Sequence, residues 1–134
     1  MQTLFELKTN MPVDADIFER MKKTASDLLR NTEKEQYTQA IVLLSQKGNE
    51  YGTIIRNVLS EDKTEESALL EGLRTADDTE ICYILCMWGD TCIDIPSFAF
   101  RARLCTANPQ NTESKIFVMT QNGVSVMKLA NTMK

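Results

Sequence analysis

The sequence predicts an α/β domain with a central mixed sheet and helices on both faces, in three α-β-α layers. Three observations predict it. Ile17, Phe18, Met21, Ala25, Leu28 and Leu29 fall on one face of a 3.6-residue repeat, the mark of an amphipathic helix. Two short apolar runs flank a glycine-containing turn at residues 46–50, as in a hairpin. The run Ile81–Trp88 is apolar almost throughout, as strands covered on both faces are. A helix-like segment then leads to another buried strand, and such a crossover implies a mixed sheet.

Each element has its own signals. Residues 1–13 read as an irregular or strand-like lead. Asp14 can cap a helix running to about Arg30, and residues 31–36 are a polar break. Ala40–Leu44 and Tyr51–Ile55 form the hairpin strands. After a polar loop at residues 60–64, a second helix spans about Glu65–Thr75, with Ala68, Leu69, Leu70 and Leu73 inward. Gly89-Asp90-Thr91 turns the chain after Trp88. A third helix starts near Pro96, a residue suited to a first turn, with Phe100, Leu104 and Cys105 on one side. Asn108-Pro109-Gln110-Asn111 stops it. Lys115–Thr120 is a buried strand, Gln121-Asn122-Gly123 a tight turn, and Val124–Met127 the return. Leu129–Lys134 reads as a short terminal helix.

The chain has 134 residues, 43% hydrophobic and 25% charged, which is ordinary for one globular domain, here expected over 1–134. Net charge is -4 and no Lys/Arg cluster occurs, which argues against nucleic acid and anionic membrane as partners. The longest apolar run is too short to span a bilayer. The first residues lack the basic and apolar regions of a signal peptide, so the expected location is cytoplasmic.

There is no histidine. Cys82, Cys86, Cys92 and Cys105 are spaced C-x3-C-x5-C-x12-C, which fits no common zinc pattern. Reduced core thiols are the expectation, with Cys82 and Cys86 on one face of their strand.

The element order, α-β-β-α-β-α-β-β, and fragments of motif resemble cytidine deaminase over roughly residues 17–134. Ile41 to Gly52 matches the family's first hairpin. The family's Pro-Cys-x-x-Cys-Arg motif is matched by Pro96-Ser97-Phe98-Ala99-Phe100-Arg101, followed by Leu104. Its Cys/His-Ala-Glu motif falls on Thr64-Glu65-Glu66, with Leu69 and Leu70 in the apolar slots. A register one residue shorter would use Glu65 and Ser67. Helix phase and the distance to Pro96 favour Glu66.

The resemblance implies a zinc ion with three N or S ligands, a lowered water pKa and a glutamate that shuttles the proton. Here the ligand slots hold Thr64, Ser97 and Phe100. Neutral hydroxyls bind zinc poorly and phenylalanine does not bind it, so no metal or other cofactor is expected. Phe100 is expected to fill the metal's volume and pack with Leu104 and the second helix. The family's ribose-holding Asn-x-Glu aligns near Ile54-Ile55-Arg56 with both polar partners replaced. Arg56, Asn57 and Arg101 remain as candidate binding residues. Arg56 reads more simply as a solvated strand-end arginine. Glu66 is either a retained acid/base or one of several first-turn acids that complement the helix dipole. Ser97 at a helix start reads as a cap before it reads as a nucleophile. Asp90 and Asp94 flank Cys92 and offer either a weak cation site or a polar turn.

Three functions compete. The first is a zinc-free, non-catalytic relative acting by association, as a homodimer or homotetramer or with another protein. The second is a small-molecule binding module for a nucleoside-like ligand. The third is a divergent deaminase or hydrolase using Glu66 or Asp94.

Overall fold

The computed structural model describes residues 11–33 and 36–133. Most of the N-terminal lead, and Lys34 and Glu35 of the polar break, lie outside them. The helices are α1 (Ala15–Arg30), α2 (Thr64–Thr75) and α3 (Phe98–Ala107). The strands are β1 (Gln39–Ser45), β2 (Glu50–Ile55), β3 (Ile81–Trp88), β4 (Ile93–Asp94), β5 (Lys115–Thr120) and β6 (Gly123–Lys128). Short 3-10 turns follow α3 at Pro109–Glu113 and β6 at Leu129–Met133.

The strands form one sheet in the order β2-β1-β3-β5-β6. All neighbours are antiparallel except β3 and β5, which are joined by the α3 crossover. The mixed sheet expected from the buried runs is therefore present.

Alternation within the strands divides the core in two. Ile41, Leu43, Ile84, Cys86, Ile116 and Val118 face Leu69, Leu70 and Leu73 of α2 and Phe100 and Leu104 of α3. Ala40, Val42, Leu44, Leu85, Met87 and Phe117 face Met21, Ala25 and Leu29 of α1. Helices thus cover both faces. Asp14 caps α1 as expected, accepting from the Ile17 N–H at 3.1 Å. Gly52 lets α1 approach β2 closely: a Cβ there would lie 2.8 Å from Leu28 Cδ1. Of the lead segment, Met11 bridges to Val126, its N–H donating to the carbonyl at 2.6 Å.

Three sequence expectations need correction. Cys82 and Cys86 do not share a face. Leu44 opposes Tyr83 but Ser45 opposes Ile81, so Cys82 is the extra residue of a β-bulge. The bulge turns Cys82 onto the α1 side, while Cys86 packs on the other. Buried Asn111 and Ser114 hold the bulge. Asn111 Oδ1 accepts from Ile81 N at 2.8 Å, and the Ser114 hydroxyl donates to Ile81 O at 2.5 Å. Ala68 is exposed rather than inward, and Glu66 takes the buried position one turn earlier. The third helix starts at Phe98, because Pro96 precedes the cap instead of filling the first turn. A strand the sequence does not signal, β4, pairs Ile93 and Asp94 with Met87 and Cys86 at the far end of β3.

Past the C-terminal end of α2, the buried Asp78 carboxylate anchors a partly exposed polar cluster. Asp78 Oδ2 accepts from Asn49 Nδ2 at 3.0 Å and from the Tyr51 hydroxyl at 2.7 Å. Burial pushes the Asp78 carboxyl up. The hydrogen bonds from Asn49, Tyr51 and Ser45, with the Lys47 charge, outweigh it and hold the group below its ordinary value. Tyr51 is correspondingly raised, chiefly by its bond to Asp78.

Candidate functional site

Thr64, Glu66, Ser97, Phe100 and Arg101 sit where α2 and α3 begin. The two helices pack side by side, with Arg103 Nη2 donating to Ser67 Oγ at 3.0 Å. Thr64 opens α2 and is exposed. Its N–H donates to Asp62 Oδ1 at 2.9 Å, and its hydroxyl donates to the same oxygen. Asp62 is held below its ordinary carboxylate value mainly by the Thr64 hydroxyl. An Asx turn thus starts the helix, a signal carried by Asp62-Lys63-Thr64 that attention to Thr64 alone misses.

Ser97 caps α3, its Oγ accepting from Phe100 N at 3.2 Å. Phe100 is 0% exposed and belongs to the core with Leu69, Leu70, Leu73 and Leu104. Arg101 is also buried. Its Nε donates to Pro96 O at 2.9 Å, and its Nη1 donates to Thr132 O at 2.8 Å and Oγ1 at 2.9 Å. It therefore fastens the final 3-10 turn to the start of α3. Burial lowers its pKa, against the nearby charge of Asp94. The Phe98 ring lies 5.7 Å from the Arg101 guanidinium and is 60% exposed.

Glu66 is 4% exposed, and among the described residues its Oε2 finds no hydrogen-bond partner. A first-turn acid that only complements a helix dipole stays in solvent, so the dipole alone does not account for it.

Arg56, Asn57 and Thr64 meet in a depression of about 350 Å³, together with Ser60, Asp62 and Glu65. Arg56 is exposed, with Nε 4.0 Å from Glu65 Oε2. Asn57 Oδ1 accepts from Leu59 N at 2.9 Å. Glu66, Ser97, Phe100 and Arg101 do not line this depression.

Asp90 and Asp94 each have hydrogen-bond partners of their own. Asp90 Oδ1 accepts from Cys92 N at 3.0 Å, while Asp94 Oδ2 accepts from Trp88 Nε1 at 2.8 Å. Asp94 Oδ1 also accepts from Ile95 N at 2.8 Å.

These side chains do not fit a zinc ion. The Thr64 hydroxyl is turned to Asp62, the Ser97 oxygen to its own helix, and the Phe100 ring fills packed core. Among the described residues, no three His, Cys, Asp or Glu side chains cluster as metal ligands.

Solved structures place the architecture. The chain superposes on cytidine deaminase from Mycobacterium leprae with a TM-score of 0.64, covering 91% of this chain and 98% of that one at 17% identity. The fold is that of the cytidine deaminases. The Mycobacterium tuberculosis cytidine deaminase gives a TM-score of 0.62 at 12% identity, covering 90% of this chain and 94% of that one. The Burkholderia pseudomallei enzyme gives 0.57 at 12%, covering 84% and 93%. No protein-family model matches the chain, and no curated protein matches it in sequence. The cytidine deaminase fold is thus carried by a sequence only 12–17% identical to these three structures.

Proposed function

We propose that this chain is a zinc-free, non-catalytic protein of cytidine deaminase fold that acts by associating with copies of itself. One observation carries the reading: Phe100, in a ligand slot of the matched motif, is a fully buried core ring. Thr64 and Ser97, in the other two slots, serve as helix-start groups. Without three N or S ligands, a water is not activated in the way the family uses. Glu66 then has no proton to shuttle. For association, α3 offers Phe98, an aromatic ring largely in solvent at the helix start. Aromatic residues are enriched at the buried centres of interfaces.

Elemental analysis and turnover of cytidine and deoxycytidine on one purified sample test the first half. The expected result is no stoichiometric zinc and no turnover; zinc near one per chain with turnover overturns the reading. Light scattering across a concentration series tests the second half. A dimer or tetramer that Phe98→Ser dissociates is expected, and a monomer at every concentration refutes association.

A second reading, a nucleoside-like ligand without chemistry, is favoured by one feature. Arg56, Asn57 and Thr64 share the depression at the start of α2. It requires that cytidine or uridine raise the thermal midpoint, and that Asn57→Ala remove the rise.

A further inference from the structure

We propose that the groove between α2 and α3 is a binding site for a small phosphate-bearing anion. The groove encloses about 240 Å³ and is lined by Ser67, Leu70, Glu71, Arg74, Arg103 and Thr106. Leu70 is buried and floors it. Two arginines line it, Arg74 from α2 and Arg103 from α3.

Arg103 is half-buried, and among the described residues it has no carboxylate partner. One of its Nη2 hydrogens goes to Ser67 Oγ at 3.0 Å. Among the described residues, its Nε and Nη1 hydrogens have no acceptor. The Ser67 oxygen accepts from Arg103, so the hydroxyl keeps its own hydrogen to give. Thr106 donates to Ala102 O at 3.1 Å and only shapes the wall. Arg74 meets Glu71 through Nη1 at 3.0 Å, an exposed pair on one helix. Such pairs are weak and yield readily to a better acceptor.

The groove therefore carries two positive charges and one negative on a chain whose net charge is -4. A local reversal of sign in a partly enclosed space concentrates anions. The chemistry selects further among them. A guanidinium fork matches two oxygens of one phosphate, and a second guanidinium with a hydroxyl can take the others. A monoanionic carboxylate would satisfy one arginine and leave the other as it is. The site is separate from the depression at Arg56 and shares no residue with the association reading.

The test titrates inorganic phosphate into the full chain at constant ionic strength, followed by backbone amide and arginine Nε–H resonances. Saturable shifts confined to Ser67, Arg74, Arg103 and their neighbours are expected. Arg103→Gln should weaken binding roughly tenfold or more, as loss of a charge-assisted contact does. Arg20→Gln, a surface arginine elsewhere, should leave it unchanged. Because Arg103→Gln also removes an interhelical bond, Ser67→Ala serves as a second variant that keeps both charges; it should weaken binding less. Drift that does not saturate, shifts spread over the surface, or equal binding by Arg103→Gln and the parent overturns the proposal.

Discussion

At the scale of the residue, Phe100 decides most. A buried phenylalanine cut to alanine leaves a cavity that its neighbours cannot fully close. Phe100→Ala should therefore cost about 3–5 kcal/mol of unfolding free energy, read by urea denaturation. A cost near zero would mean that the ring is not core. The cysteines make a finer case. Burial pushes the Cys86 thiol far up, so it should resist alkylation in the native state. Cys92 is exposed, yet its thiol is raised, first by the hydrogen bond to Asp90 and then by that residue's charge. Asp90→Asn should speed iodoacetamide labelling of Cys92 severalfold near pH 8. No change in rate would show that the carboxylate does not govern the thiol.

At the scale of the element, the cluster around Asp78 joins the β1–β2 turn to the end of α2. Its folded pKa is depressed, so the stability it supplies is present above the unfolded carboxylate value of about 3.9. That stability is lost as pH falls through the lower folded value. Asp78→Asn should be destabilising at pH 7, and the gap to the parent should narrow below about pH 4. Parallel denaturation curves at the two pH values check it; a constant gap would contradict the assignment.

The elements are largely legible in the sequence. Apolar periodicity located α1, and continuous apolar runs located β1, β3 and β5. What escaped was the local geometry that long-range bonds impose. The bulge at Cys82 depends on Asn111 and Ser114, which lie about thirty residues on and bond to Ile81. The strand β4 is two residues long, too short to show alternation. At the site, the places of Thr64 and Ser97 at helix starts and of Phe100 in the core could be read from the sequence. The unpartnered Glu66 oxygen could not, because burial of a first-turn acid depends on packing from the neighbouring elements.

At the scale of the whole molecule, the sheet is held unevenly. β3 pairs with β1 along its length, through seven opposed residue pairs from Gln39↔Trp88 to Ser45↔Ile81. Its seam with β5 is two pairs wide, Tyr83↔Lys115 and Ile84↔Ile116, since β4 occupies the strand's other end. Side chains supply the rest of the attachment, including Phe117 stacked 5.6 Å from Tyr83 and tilted 5.1 Å from Phe18. The β5–β6 hairpin is therefore a leaf on a narrow hinge of backbone bonds. It should open in native-state fluctuations that leave β1, β2 and β3 closed. Amide hydrogen exchange should find β5 and β6 protected by a smaller free energy than β1 and β3. Identical protection would mean that the molecule opens only as a whole.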